Sequence, residues 1–272
     1  MNAIEPVTLS LGATDRRDNW WLSPLLIATT LIAFVIYATY AGIANAHYEW
    51  GPYLSPFYSP NLKADWMPDW VSPAFLILAA PAGFRATCYY YRKSYYRSLF
   101  LDPPGCAVGE GKGKGYTGER AFPFVLQNLH RFFLYLAIVF VVILAYDAAL
   151  AFRFPVDATG AAVAHAKDAV GYRWGFGMGT IILWANVILL SGYTFGCHSL
   201  RHLIGGKKDC FSCEVAGGPN PPLSFKAWQK VTWLNIRHQE FAWFSLFSVA
   251  FTDVYIRYIS MSGCGDLFTI LF

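Results

Sequence analysis

Cys88, His130, Cys197, His198, His202 and His238 carry the side chains that bind iron, haem or zinc, and each falls at an end of a long apolar segment. Cys88 lies near the end of the second segment and His130 at the start of the third. Cys197, His198 and His202 close the fourth, and His238 opens the fifth. A chain that crosses a bilayer five times brings all six to one membrane face. Taken one per helix, Cys88, His130, Cys197 and His238 match the two thiolates and two imidazoles of a Rieske-type [2Fe–2S] cluster. Bundles build cofactor sites in this way, from side chains on facing helices. His130 with His198, His202 or His238 would instead supply the two axial imidazoles of one haem b. Haem alone gives Cys88 and Cys197 no role, although a buried Cys is also a common small hydrophobe. The plainest alternative has these His capping helix ends or meeting lipid headgroups.

Other residues could serve the same chemistry. Arg85 is the one charge deep in the second segment, where a charge is costly and should face the bundle or a polar cavity. Arg85, Cys88 and Arg92 are spaced three and four apart, hence on one helix face. An Arg there could pair with a propionate, stabilise an anionic cluster or donate to a quinone carbonyl; it could equally snorkel to the headgroups. The stretch YYYRKSYYRSLF at 89–100 adds Tyr hydroxyls and rings that suit a quinone, or an interfacial aromatic belt. Arg85, Tyr89, Arg92 and His130 are therefore the candidate quinone contacts. His198 and His202 form a single HxxxH, part of a desaturase-like histidine set that needs several such boxes. Cys210 and Cys213 form a lone CxxC, half a zinc site or a redox pair.

The elements that must position these residues are membrane helices. Of 272 residues, 56% are apolar and 14% charged, against roughly 25% charged in soluble domains, and the mean hydropathy is +0.35. Aromatics reach 18%, with 10 Trp and 17 Tyr, as bilayer interfaces favour. The composition predicts an all-α integral membrane protein, one domain with five spans at about 22–44, 71–95, 128–151, 174–200 and 235–258. The first, as a helix, is about 34 Å long, enough for a hydrocarbon core of about 30 Å. Fifteen Lys and Arg flank one side of these spans and five the other, so the positive-inside rule puts the N-terminus in the cytoplasm and the C-terminus outside. The Cys/His set then lies at the cytoplasmic end. Two long basic, glycine-rich loops, GEGKGKGYTGER and GGKKDCFSCEVAGGPNPP, lie on that side and suit anionic headgroups or a docked soluble partner. The modest net charge of +4 makes no nucleic-acid patch.

The segments FRATCYYYRKSYYRSLFLDPPGCAV, QNLHRFFLYLA, GCHSLRHLIGG and WLNIRHQEFAWFSLF, with the five-span layout, resemble the membrane-anchor subunit of an actinobacterial, mycobacterial-type succinate dehydrogenase. The resemblance covers most of the chain. It implies a multi-pass plasma-membrane subunit that holds a flavoprotein and an iron–sulfur subunit on its cytoplasmic face. It also implies passage of electrons to menaquinone or ubiquinone. Five-helix relatives bind two haems b, one near each face. This chain departs from that pattern, because its outer His, His47 and His165, fall in loops. One proximal centre is expected, a Rieske-like [2Fe–2S] cluster with a single haem b as the alternative. Two other readings are a haem-binding subunit of another quinone-linked oxidoreductase and a membrane metal enzyme acting on lipids.

Overall fold

A computed structural model describes residues 10–62, 68, 72–110, 119–122, 124–206 and 223–272. Cys210, Cys213 and most of the two basic loops lie outside the described residues. Eight α-helices are present among those described: α1 (Leu22–Ala44), α2 (Pro73–Ala86), α3 (Tyr89–Tyr95), α4 (His130–Leu150), α5 (Met178–Phe195), α6 (His198–Gly205), α7 (Leu223–Ile236) and α8 (His238–Ser262). By length and composition, α1, the helical stretch Phe124–Leu150 and α5 can cross a membrane.

The chain divides into two compact units. The first comprises residues up to Tyr37 and Arg85–Leu129. In it the N-terminal arm lies along the 105–109 loop. Gly12 N donates to Gly109 O at 2.9 Å, and Arg16 Nη1 to Cys106 O at 2.9 Å. After α3 the chain makes one π-turn, Tyr96–Phe100, and ends it with Leu101 in the left-handed region.

The second unit comprises Ala38–Phe84 and His130–Phe272. On α4 both faces are apolar, so burial rather than polarity marks the inner side. On α4 the buried positions are His130, Leu134, Ala137, Val141, Leu144 and Ala148. Their spacing of three and four draws one helical stripe. The opposite face exposes Phe132, Val139, Val142 and Tyr146, as a lipid-facing surface does. On α8 the arrangement inverts the soluble rule. Its polar residues His238, Ser245, Thr252 and Asp253 are buried, while Phe244, Phe247, Phe251 and Tyr258 face outward. Inward polarity explains why this 25-residue helix scores weakly on hydropathy despite its length.

Three features depart from the all-helical expectation. The loops at the end opposite His130 are not simple connections. β1 (Glu49–Trp50) and β2 (Tyr53–Leu54) form a hairpin. β3 (Arg153–Val156), β4 (Gly171–Gly177) and β5 (Thr269–Leu271) form an antiparallel sheet that ties the C-terminus to the bundle. Consequently the fourth helix begins at Met178 rather than Trp174. Trp174–Gly177 belongs to β4, where a Cβ on Gly175 would collide with the carbonyl of Ile270. The second apolar segment is broken at Thr87–Cys88, leaving α2 at 14 residues, about 21 Å. The fourth likewise breaks at Gly196–Cys197.

Polar side chains fasten that sheet end. Asp253, fully buried, accepts from Ser55 Oγ and from Arg257 Nε at 2.7 Å. Arg257 also donates to the carbonyls of Ala41 and Ala46. Tyr53 donates to Asp266 at 2.6 Å, and Tyr255 donates to the same carboxylate. Burial and the neighbouring Asp266 hold the Tyr53 phenol well above its usual range, so it stays a donor.

Candidate redox site at the helix breaks

The chemistry-bearing residues sit where helices restart. In the second unit α5 ends with Gly196 (φ −78°, ψ −3°), and Cys197 is extended (φ −64°, ψ 136°) before α6 begins. Cys197 is fully buried, and its Sγ accepts from Ser199 N at 3.4 Å. His130 opens α4 and His238 opens α8, at 5% and 1% exposure. In the first unit Cys88 caps α3 with nearly the same backbone (φ −67°, ψ 133°) and is as buried, at 1%. All four expected cluster ligands are thus buried side chains at the start of a helix. The alternates His198 and His202 are exposed, on the outer surface of α6.

His130 Nε2 and Cys197 Sγ lie 3.1 Å apart. With His198 they form a group whose donor atoms all fall within 4.8 Å of one another. That group holds one thiol and two imidazoles, not the two and two expected of a Rieske-type cluster. His238 is not in it. His238 is linked to His130 through two rings: Phe84 stacks on His130 at 4.7 Å, Tyr193 on His238 at 4.9 Å, and the two aromatics meet edge-on at 5.3 Å.

Packing nevertheless locks His238 to the break that carries Cys197. Asn235 Nδ2 donates to Gly196 O at 2.8 Å. A Cβ on Gly196 would lie 2.6 Å from Gly192 O, 3.0 Å from Leu234 O and 3.2 Å from His238 Nδ1. Gly196 has an ordinary right-handed backbone, so space rather than torsion demands glycine there. Arg201 holds α6 to α7 through Thr232 Oγ1 at 3.0 Å and the Trp228 ring at 4.7 Å.

The candidate quinone residues Arg85, Tyr89 and Arg92 belong to the first unit. Arg85 Nη1 donates to the hydroxyl of Tyr91, a buried ring beneath its guanidinium. Arg92 pairs with Glu119 and lies over the Tyr89 ring at 5.2 Å. Tyr89 is exposed. Tyr91, Phe84, Tyr193 and Gly196 were not singled out from the sequence. Their only signal there is position, within four residues of a Cys or of Arg85.

Comparison with known proteins gives a consistent picture. The family model for actinobacterial succinate dehydrogenase subunit SdhC matches residues 22–262. Among solved structures, a chain of the Mycobacterium smegmatis Sdh1 complex in the apo form is 39% identical, with a TM-score of 0.76. That match covers 93% of this chain and 92% of the other. No curated protein sequence matches.

Proposed function

The chain belongs to the actinobacterial succinate dehydrogenase subunit SdhC family, and on that premise we propose that it anchors the complex and delivers electrons to quinone. Five spans cross the membrane, with the segment 71–95, which holds α2 and α3, and α8 joining the three helices that qualify by hydropathy. The N-terminus is cytoplasmic and the C-terminus outside. A flavoprotein and an iron–sulfur subunit dock on the cytoplasmic face, where the basic loops lie. Menaquinone or ubiquinone enters from the lipid and takes two electrons and two protons to leave as quinol. Succinate is handled by the docked subunits, not by this chain.

The observation that carries a resident redox centre is the buried His130–Cys197 pair, with His238 packed against the adjacent Gly196. Cys88, His130, Cys197 and His238 would hold it as a Rieske-like [2Fe–2S] cluster. Two thiols and two imidazoles are the ligand types such a cluster takes, each here at or below 5% exposure, while the donor atoms that the described residues gather are those of His130, Cys197 and His198. When bound, such a cluster supplies one-electron transfer between the docked partner and quinone. The protein's own part is to exclude water and fix the ligand rings. Phe84 and Tyr193 brace the imidazoles, and the break before α6 buries the Cys197 thiol beside His130. Arg85, Tyr89, Arg92 and His130 are the proposed contacts that orient the quinone carbonyls by hydrogen bonding and stacking.

One haem b is the second reading, favoured by the nearly parallel rings of His130 and His198, 5.9 Å apart. Against it, Cys197 Sγ sits 3.1 Å from His130 Nε2, in the space that a macrocycle on that nitrogen would need. Single replacements of His130, His238 and His198 by Ala, in the assembled complex, separate the readings. The cluster reading expects His130→Ala and His238→Ala to abolish a nitrogen-coupled cluster EPR signal and quinone reduction, with His198→Ala retaining both. Full activity in His130→Ala and His238→Ala overturns the ligand set. A split visible haem band that is lost in His198→Ala establishes haem instead.

A further inference from the structure

The bundle end opposite His130 carries a cleft. Its volume is about 420 Å³, and it is lined by Ala149, Leu150, Arg153, Tyr172, Arg173 and Trp174. It opens where α4 runs out into β3 and β4. Register pairs Arg153 with Trp174 and Pro155 with Tyr172, so Arg153, Tyr172 and Trp174 share one face of the ladder. The Arg153 guanidinium lies over the Tyr172 ring at 4.3 Å, which restrains a long side chain before any ligand arrives. Arg173 stands opposite Phe154 on the neighbouring register, with Nη1 beside Gly160.

Among the described residues, no carboxylate forms an ion pair with either arginine. Asp157, in the turn after β3, is committed to its own turn. Its Oδ1 accepts from Thr159 N at 2.8 Å, Thr159 Oγ1 at 2.6 Å and Ala161 N at 3.1 Å. Among the described residues, two guanidinium charges therefore stand outside any ion pair at the end of a membrane helix. Directly along that helix the surface turns apolar, with Leu150 and Tyr146 exposed. Trp174 and Tyr172, 61% and 51% exposed, stand at the boundary, the level such rings take between headgroups and acyl chains. Planar guanidinium groups match phosphate oxygens bidentately.

We propose that this cleft binds one anionic phospholipid, its phosphate on Arg153, with Arg173 adding positive charge at the cleft wall from the other face of the ladder, and an acyl chain along the Leu150 face of α4. A basic cleft with an apolar floor at membrane depth selects a headgroup and a tail together. A free phosphate would use the arginines alone.

The test uses the assembled complex, reconstituted in nanodiscs of phosphatidylcholine with a minor fraction of phosphatidylglycerol, then extracted mildly and read by native mass spectrometry. The wild type is expected to retain one phosphatidylglycerol per chain, enriched about tenfold or more over the bulk mixture. Arg153→Gln with Arg173→Gln should lose that enrichment while other bound lipids stay. Equal retention of both lipids by the wild type overturns the proposal without reference to any variant. So does unchanged enrichment in the double variant. In a parallel arm, inorganic phosphate at millimolar concentration should not displace the lipid. Displacement would make the cleft an inorganic phosphate site and overturn the lipid assignment.

Discussion

Gly196→Ala is a one-carbon change aimed at the contact between the break after α5 and the junction of α7 with α8. The new Cβ would sit 2.6 Å from Gly192 O and 3.0 Å from Leu234 O, both backbone, and 3.2 Å from His238 Nδ1. Ordinary carbon contacts begin several tenths of an ångström further out, so something must move. The carbonyl of Gly192 belongs to α5 and that of Leu234 to α7, and both are tied into helix ladders. The ring of His238 is the softest of the three neighbours, so the strain falls partly on a candidate ligand. Overpacking of this kind costs about 1–3 kcal/mol, a factor of roughly 5 to 150 in an equilibrium constant. The apparent melting midpoint of the purified complex should fall. The spectrum of the redox centre should shift or broaden in the fraction that remains assembled. Gly171→Ala is the control, because a Cβ there meets nothing within 4 Å, and surface changes of that sort stay within about 0.5 kcal/mol. If Gly196→Ala melts and titrates as Gly171→Ala does, His238 is not locked to the break after α5 and the argument for it fails.

Two further expectations concern the sheet end. Asp253→Asn leaves the buried Arg257 without its counter-charge, a change that costs about 3–5 kcal/mol when a buried pair is broken; adding Arg257→Met should recover part of the loss, and a single-variant loss below about 1 kcal/mol in chemical unfolding would show the pair to be solvated. Tyr53→Phe removes one donor to Asp266 and leaves Tyr255 on it, with an expected loss of about 1.5–3 kcal/mol. Because the folded phenol titrates above its unfolded value, its contribution is complete below an unfolded pKa of about 10 and declines only as pH rises past that. The Tyr53→Phe deficit should therefore be flat from about pH 6 to pH 9, and a deficit that varies across that window would assign the effect to another group.

What the sequence made legible, and what it hid, follows from which contacts are local. α1 and α4 begin and end close to the expected bounds because lipid-facing residues such as Val139 and Val142 announce themselves as apolar runs. The breaks at Cys88 and Cys197 were hidden, since FRATCYYY and TFGCHSLR read as continuous helix apart from one glycine. The sheet was hidden for a different reason. β5 is three residues long and pairs with a strand almost a hundred residues earlier, and no local pattern encodes so distant a partner. At the site, residue type revealed the thiols and imidazoles but not their surroundings. His198 and His238 are equivalent as letters at helix ends; in the structure His198 is exposed on α6 beside His130 and Cys197, and His238 is buried against Gly196. The braces Phe84 and Tyr193 look like any aromatic in an apolar span. In a membrane bundle, hydropathy reports the outward face, and here the outward face is the uninformative one. The inner face of α8, with His238, Ser245, Thr252 and Asp253, lowers the helix's hydropathy. A weakly scoring span is therefore the one to inspect first for function, because each polar residue it tolerates must be matched by a partner inside the bundle.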